Sequence, residues 1–317
     1  MRSLIQLILL SVVLVSSMAY AGEKVSETLP LNDASKVIIE NQRGQVNVIG
    51  SNDNFVSVEG ELDDDAQAFI FEQSGATITI KVQMPNSKRN WGNNDKRGSI
   101  LTITIPRQVR VGFNGVSSDI EISDFIQGVD IKTVSGEVSA KHLQKNIDIN
   151  TISGDIESEL LSGKVQLSTV SGDLDDEKSS GRLLIKSVSG SIKTTTNAKE
   201  VSAETVSGDI KLNLASIDEL SVSSVSGDSD VSLLLNPQAT VKLSSVSGEF
   251  TLKFAERTQA NFALKTNAGG SIKNKITKDK AHRSKFGPNE KLSFTTGDGN
   301  GSVKVTTVSG DIILLAN

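Results

Sequence analysis

Thr151-Ile152-Ser153-Gly154-Asp155-Ile156 belongs to a series of near-identical hexapeptides that recur along most of this 317-residue chain. Close copies begin at Thr133, Thr169, Ser187 and Thr205. Their glycines stand 18 residues apart up to Gly208, and the interval then lengthens to 19 at Gly227 and 21 at Gly248. A near-constant interval over this many copies is typical of one structural unit stacked on itself.

The pattern inside each unit predicts two short strands around a bend. Apolar and polar residues alternate in Ile147-Asp148-Ile149-Asn150, the Ser-Gly bend follows, and alternation resumes at Ile156. We therefore expect an all-β fold, a single-stranded parallel β-solenoid (β-helix) with coils of about 18 residues. A β-sandwich whose hairpins are similar by accident is the alternative, and constant spacing disfavours it.

Stacked coils place equivalent residues in columns, about 4.8 Å apart from one coil to the next. The predicted core column contains Val129, Ile147, Val165 and Leu183. The predicted turn ladder contains Gly136, Gly154, Gly172, Gly190, Gly208, Gly227, Gly248 and Gly310. Glycine suits such a bend because it tolerates positive φ and close approach of a neighbouring strand.

Composition fits a narrow rod and argues against nucleic-acid binding. Only 4% of the residues are aromatic, so a core of this length would be filled mainly by Val, Ile and Leu. The formal net charge of −5, without a basic stripe carrying interleaved aromatics, disfavours a nucleic-acid partner. The chain has no cysteine, which excludes both disulfides and a lipid-attached cysteine.

The first 21 residues have the features of a secretory signal peptide. Arg2 precedes an apolar run from Leu4 to Val15, and Ala19-Tyr20-Ala21 is a small-x-small cleavage site. We expect cleavage at about Ala21 and an exported protein, periplasmic or secreted to the cell surface. No other segment approaches the roughly 20 apolar residues that a membrane span needs, so we expect no stable span in the mature chain.

The remainder divides into an irregular and a regular part. Residues 22–115 contain alternating segments without a clear period, and we expect irregular N-terminal coils that cap the solenoid. Asn41-Gln42-Arg43-Gly44 is a candidate degenerate bend. Residues 116–317 hold the regular repeats, first with Ser118 in the glycine position, and a basic insertion near 273–291. A further degenerate copy occurs at Asn267-Ala268-Gly269-Gly270.

Three of these patterns together resemble a known family. They are the Val-Ser-Gly-Asp-Ile bends, the Ile-Glu-Asn-x-x-Gly-x-Val-x-Val segment from Ile39 to Val48, and Ile-x-Ile-Pro from Ile103 to Pro106. They resemble the bacterial putative-adhesin domain of unknown function, also called toastrack. The resemblance implies a β-solenoid with an adhesin-like role, or a link to envelope-stress and signalling modules, and it transfers no catalytic residue.

Few residues offer catalytic chemistry. The two histidines, His142 and His282, are too few for a zinc site in a chain without cysteine. Counting alone leaves Ser/His/Asp catalysis open, but we interpret His142 as a surface residue at a coil corner. We therefore expect no enzyme activity, no cofactor and no metal.

Acidic residues follow the motif glycines and form a predicted column. Its members are Asp119, Glu137, Asp155, Asp173, Asp209, Asp228, Glu249 and Asp311. Like charges about 5 Å apart persist if they are hydrated, accept hydrogen bonds from turn amides, alternate with lysines such as Lys132 and Lys186, or hold a cation. We favour solvated, amide-bonded turns and keep a calcium column as the alternative.

Two acidic clusters interrupt the pattern. Asp173-Leu174-Asp175-Asp176-Glu177 is interpreted as a solvated loop, with an acidic cleft of a polysaccharide-cleaving β-helix as the alternative. Asp63-Asp64-Asp65 is interpreted as a turn without a basic partner nearby in sequence.

Two basic segments are candidate binding sites. The first is a polar loop that carries the only tryptophan, with candidate residues Lys88, Arg89, Trp91, Lys96 and Arg97. The second lies within Lys273–Lys291, which has a net charge of +5, with candidate residues Lys278, Lys280, Arg283 and Lys285. Either could meet an envelope glycan or protein partner, or be a plain solvated loop.

The end of the chain and the function complete the predictions. Ile312-Ile313-Leu314-Leu315 is apolar on both faces, so we expect a loop or a second chain to cover it, the latter as self-association. The predicted function is an exported, non-catalytic, adhesin-like or envelope-scaffolding binding protein. The alternatives are an envelope-stress or signalling accessory that docks on a membrane partner, and a β-helix carbohydrate-active enzyme.

Overall fold

The computed structural model describes residues 22–85, 97–255 and 258–316, and it shows an all-β solenoid. None of the described residues is helical. Within these ranges, no helical segment has the length and apolar character that crossing a lipid bilayer would require.

The strands of the described residues are, in chain order, β1 (Lys24–Pro30), β2 (Lys36–Ser51), β3 (Phe55–Glu61), β4 (Ala68–Ser74), β5 (Thr77–Gln83), β6 (Ser99–Pro106), β7 (Arg110–Ser123), β8 (Val129–Lys132), β9 (Val138–Lys141), β10 (Gln144–Asn150), β11 (Ile156–Glu159), β12 (Ser162–Ser171), β13 (Leu174–Glu177), β14 (Ser180–Ser189), β15 (Ile192–Thr196), β16 (Glu200–Ser207), β17 (Ile210–Ser226), β18 (Ser229–Ser247), β19 (Phe250–Phe254), β20 (Ala260–Thr266), β21 (Ile272–Asn274), β22 (His282–Arg283), β23 (Glu290–Thr295), β24 (Gly301–Ser309) and β25 (Ile312–Ala316).

Parallel pairing one repeat apart builds the middle of the molecule and confirms the predicted solenoid. Ile147 of β10 pairs with Val129 of β8 and with Val165 of β12, which pairs in turn with Leu183 of β14. All four side chains are buried, so the predicted core column is present. Alternation along each strand drives this arrangement, because every second side chain points into the narrow interior.

The glycines of the bends lie directly over one another. A Cβ atom on Gly154 or on any later member of the turn ladder would approach the carbonyl oxygen of the preceding ladder glycine closer than 3.0 Å. Gly190 also has a φ of +147°, which side chains rarely adopt. The glycines of the turn ladder therefore pack directly on one another, and their spacing leaves no room for a side chain.

At the N-terminal end, the first long strand lies inside the stack rather than at its edge. β2 pairs in parallel with β7 on one side and with β5 and β6 on the other. Gly44 lies beside Ser118, so the degenerate bend at 41–44 is confirmed as a copy of the motif. Antiparallel strands then cover the outer coil, with β3 on β6, β1 on β3, and β4 on β5.

The C-terminal end uses the same arrangement. The last strands in sequence, β24 and β25, insert between β18–β19 and β20–β21. The glycine column therefore runs from Gly248 to Gly310 and then back in sequence to Gly270. Antiparallel β23 covers β20, and Phe262 of β20 stacks on Phe294 of β23 with ring centroids 4.5 Å apart.

The insertion places β25 inside the stack of parallel strands. This strand has neighbours on both edges, β19 and β21, rather than a free edge. Its outward residues Ile313 and Leu315 are half-buried. Strand pairing therefore accounts for the edges of β25 but does not cover its outward face.

The interpretation of 173–177 as a solvated loop is wrong. Residues Leu174–Glu177 form β13, and the side chain of Asp176 points into the core, where it is fully buried. Its carboxylate accepts hydrogen bonds from Ser158 (2.8 Å), Ser179 (2.5 Å) and Thr194 (2.7 Å). The strand register explains why Asp176 is buried. It pairs with Ser158 and Thr194 and so occupies an inward position of the repeat.

Stacking of the glycines predicts a large effect of one methyl group. We expect Gly190→Ala to lower the free energy of unfolding by roughly 2 to 4 kcal/mol, because the Cβ would collide with a backbone carbonyl and φ is positive. The measurement is the melting temperature followed by circular dichroism. Gly75→Ala is the matched control, since φ there is +56° but no atom lies within 4 Å of the added Cβ, and it should cost about 1 kcal/mol. Equal melting temperatures for the two variants would contradict glycine stacking.

Burial of Asp176 predicts an unusual dependence of stability on pH. Burial raises the pKa of Asp176, and the hydrogen bonds from Ser179, Thr194 and Ser158 oppose this increase only in part. A carboxyl group with a raised pKa binds its proton more tightly in the folded state, so stability falls as pH rises from the ordinary aspartate range through the raised value.

We expect Asp176→Asn to remove this loss, so that its melting temperature relative to the native protein increases from pH 4 to pH 8. Asp175→Asn, an outward neighbour that forms an ion pair with Lys193, is the control and should lack this trend. A constant difference between Asp176→Asn and the native protein across this range would show that the carboxyl group does not change its charge.

Candidate binding surfaces

At the corner formed by each Ser-Gly bend, a buried residue is followed by residues that point outward. In the copy at 151–156, Thr151 and Ile156 are buried, whereas Ile152, Ser153 and Asp155 are exposed. The outer surface of the corner is therefore made of three columns, one aliphatic, one of serines and one of acids.

The acidic column is held by backbone amides of the next coil. The amide of Glu137 donates to Asp119 (3.0 Å), that of Asp173 to Asp155 (2.8 Å) and that of Ser191 to Asp173 (2.7 Å). The same bond recurs from Asp228 to Asp209, from Glu249 to Asp228 and from Ser271 to Asp311. The predicted amide-bonded turns are confirmed at these positions, because each carboxylate receives a donor that would otherwise be unpaired.

The lysines considered as partners of this column lie elsewhere. Lys132 forms an ion pair with Asp130 (3.3 Å) and Lys186 with Glu204 (2.9 Å). At the end of the column, the amide of Ser271 and the Lys273 ammonium lower the pKa of Asp311. Among the described residues, no three histidine or acidic side chains are grouped so that they could hold a metal ion.

The aliphatic column is the feature that sequence analysis missed. Among the described residues, eight side chains at the second motif position are each between 41% and 50% exposed, namely Val134, Ile152, Val170, Val188, Val206, Val225, Val246 and Val308. Their signal was present in the sequence, because an apolar residue stands between a buried Thr or Ser and the Ser-Gly bend in every copy. Strict alternation places that residue outward.

The first basic segment lies mostly outside the described residues. This applies to Lys88, Arg89, Trp91 and Lys96. Arg97 is described, and its guanidinium contacts Glu61 (3.3 Å) and Asp64 (3.8 Å). Arg97 is therefore linked to the end of β3 and to the turn that follows it.

The turn predicted at Asp63-Asp64-Asp65 is confirmed, and tertiary structure supplies the basic partner that the local sequence lacks. Arg43 Nη2 donates to Asp63 (2.7 Å) and to Asp65 (3.2 Å). The hydrogen bond to buried Asp63 raises the pKa of Arg43. This cluster links the bend of β2 to the irregular N-terminal coils, which indicates a structural role.

The second basic segment, residues 273–291, begins in β21 and continues through an exposed loop into the hairpin of β22 and β23. We call residues 275–291 the basic hairpin. Lys278, Lys280, Arg283 and Lys285 are exposed, and none of them forms an ion pair within the described part of the chain. Lys273 pairs with Asp311 (3.1 Å). At the tip, Phe286 is 94% exposed, and Lys285 Nζ lies 5.8 Å from its ring centroid. The predicted cationic site is thus joined by an aromatic residue that sequence analysis did not select.

His142 lies at a coil corner, as we predicted. Its φ is +53° and its side chain is exposed. Its Nδ1 atom lies 3.7 Å from Asp124. This geometry is that of a surface residue. His282 lies in β22 and is also exposed.

Because backbone amides already bind the carboxylates of the acidic column, we predict that calcium does not change the stability of the protein. We expect millimolar calcium chloride and a chelator to leave the melting temperature unchanged, because a ligand stabilises a fold only if it binds the folded state. The measurement is a pair of thermal melts on metal-free protein. A rise in melting temperature with calcium that Asp155→Asn reduces would instead establish the calcium column.

Comparison with known proteins identifies one family and several solved structures of low similarity. The family model described as Toastrack DUF4097 matches residues 34–276. No curated protein matches the chain. Similar solved structures include a putative adhesin from Parabacteroides distasonis, 16% identical with a TM-score of 0.39, which covers 93% of this chain and 98% of that one. A putative adhesin from Bacteroides fragilis is 13% identical with a TM-score of 0.38, and covers 92% and 97%.

These similarities to solved structures carry no inference about function at such scores. The family match is different, because it spans most of the coils described above, from β2 to the beginning of the basic hairpin. This chain belongs to the Toastrack DUF4097 family.

Proposed function

We propose that the chain is an exported, non-catalytic binding protein with an adhesin-like or scaffolding role in the cell envelope. The observation that carries this proposal is the aliphatic column, eight exposed Val and Ile side chains in line along one corner of the described coils. Contiguous exposed apolar surface on a soluble protein commonly marks a contact with a partner. Export is supported by the signal-like pattern of residues 1–21 with cleavage at about Ala21.

Energetics favour an extended contact over a local one. Covering the exposed half of one Val or Ile side chain stabilises a complex by about 1 kcal/mol. A single coil therefore contributes too little, since association costs roughly 4 to 15 kcal/mol. Several adjacent coils must engage the same partner, which a rigid stack with one aliphatic side chain per coil permits.

The acidic column indicates which kind of partner fits the corner. An acidic residue follows the aliphatic residue by three positions in seven of the eight copies, as Asp155 follows Ile152, whereas Ser191 occupies this position after Val188. A partner that covers the corner therefore meets apolar surface beside a line of carboxylates. Complementarity favours a protein segment with an apolar ridge flanked by lysine or arginine.

Substitution of the aliphatic column tests this proposal. We expect the triple variant Ile152→Ser, Val170→Ser, Val188→Ser to lose at least tenfold in affinity, since about 3 kcal/mol of apolar contact is removed. The partner is isolated from envelope extracts with the native protein, identified by mass spectrometry and titrated as purified protein. Isolation alone is not sufficient, and the affinity difference decides.

The matched control is Asp148→Ser, Gln166→Ser, Leu184→Ser. These residues form an outward column on the same three coils, two columns away from the corner. The control should bind as the native protein does. Equal affinity of both triple variants would overturn the proposal, provided that their melting temperatures are unchanged. The identity of the partner also separates scaffolding from the signalling alternative, which requires a membrane-embedded partner.

A further inference from the structure

The basic hairpin lies at the end of the rod, beyond its last parallel coil. β23 pairs antiparallel with β20, the outermost parallel strand, and β22 pairs with β23. The amide of Ser284 donates to the carbonyl of Asn289 (3.0 Å), which closes a short turn around Phe286. The turn therefore holds the aromatic ring at the tip of a hairpin that is anchored to the last coil.

Phe286 is exposed far beyond any comparable side chain. Its exposure of 94% compares with 53% for Ile100, the next most exposed large hydrophobic residue of the described ranges. A ring so exposed packs against almost nothing in this chain, except for the cation of Lys285. It therefore contributes little to the fold, and water solvates it unfavourably.

The cations around this ring are not neutralised. The two acidic side chains of the basic hairpin are engaged locally, Asp279 with the hydroxyl of Thr277 and Glu290 with the amide of Ile272. The acidic column also stops short of this end, because the last coil carries Ser271 in the acidic position, and Asp311 of the preceding coil pairs with Lys273. The end of the rod is thus cationic although the whole chain has a net charge of −5.

We propose that the basic hairpin docks the end of the rod on an anionic phospholipid bilayer, with Phe286 inserted at the level of the headgroups. Lys280, Arg283 and Lys285 then meet lipid phosphates, while the ring enters the apolar boundary below them. An acidic glycan would satisfy the cations but offers no apolar phase for Phe286. Phe286 also projects from a convex tip, and a fluid bilayer can accommodate such a tip without a preformed groove.

End-on docking is compatible with the binding function proposed above but does not depend on it. The aliphatic column runs along the side of the coils, whereas the basic hairpin projects at the end. A rod that stands on a bilayer leaves its side free for a protein partner. Either proposal can fail without the other.

Vesicle co-sedimentation tests the charge requirement. We expect the mature protein to bind vesicles of phosphatidylglycerol and phosphatidylcholine, to bind pure phosphatidylcholine at least tenfold more weakly, and to be released by salt. The triple variant Lys280→Ala, Arg283→Ala, Lys285→Ala should lose at least tenfold in binding. The control is Lys164→Ala, Lys211→Ala, Lys242→Ala, three exposed lysines on the side of the rod without ion pairs in the described structure, and it should bind normally.

Substitutions of Phe286 distinguish binding to a lipid bilayer from binding to an acidic polymer. Phe286→Ser should weaken vesicle binding about tenfold, since the inserted ring is lost. In a Trp91→Phe background, Phe286→Trp should show a blue-shifted emission on anionic vesicles, quenched by lipids with brominated acyl chains. Unchanged emission, or equal binding of Phe286→Ser and the native protein, would overturn the proposal. Binding to dextran sulfate that requires the cations but not Phe286, without vesicle binding, would assign the basic hairpin to an acidic glycan instead.

Discussion

Close stacking of the corner glycines is the constraint on which the rest of the molecule depends. From Gly154 onward, each ladder glycine packs so tightly on the carbonyl of the glycine one coil earlier that no side chain fits between them. A shift of one residue in any coil would replace glycine with serine or an acid at that point. Such a shift would also turn every core residue of the coil outward. The glycine contact and the apolar core therefore select the same register, which is why the columns persist along the rod.

The ends obey a different requirement, because a stack of parallel strands leaves unpaired backbone groups at each end. At both ends, one coil lies out of sequence order, and antiparallel strands then pair with the outermost parallel strands. β2 lies inside β5 and β6, and β24 lies inside β20. The polypeptide can return in this way only through longer connections, which is where the period fails in the sequence. The irregular N-terminal part and the basic insertion thus have a common structural cause.

The sequence was sufficient to predict the regular coils but not the environment of individual polar residues. Val129, Ile147, Val165 and Leu183 follow from alternation alone, and the glycine ladder follows from the interval. The burial of Asp176 was not predicted, because four acidic residues within five positions usually indicate a solvent-exposed segment. Its burial depends on serine and threonine hydroxyls contributed by the neighbouring coils and by β14's preceding turn. Arg43 and Asp63 were missed because they meet only through tertiary structure.

Candidate sites were predictable to a similar extent. The cations of the basic hairpin were recognised, since net charge is a local property of sequence. Only the structure showed that Lys278, Lys280, Arg283 and Lys285 form no ion pair with any described residue. The aromatic residue among them was overlooked because exposure of a single Phe has no sequence signal. The aliphatic column did have such a signal, but each member resembles a core residue when its copy is considered alone. Its exposure becomes evident only when all copies are aligned on the bend.

Nearest-neighbour architecture also determines how the two proposed surfaces relate to each other. In a solenoid each coil contacts only the coils beside it, so a local change is transmitted only through the chain of interfaces between them. The corner columns extend over coils that are held by the same glycine and amide contacts, and they act as one rigid surface. The basic hairpin is joined to the last coil through the antiparallel pair of β20 and β23, the stack of Phe262 on Phe294, and hydrogen bonds of Glu290 with Ile272 and Thr266. Binding at the end of the rod should therefore leave the corner unchanged unless it displaces β23, since no other paired strand links β22 and β23 to the described coils.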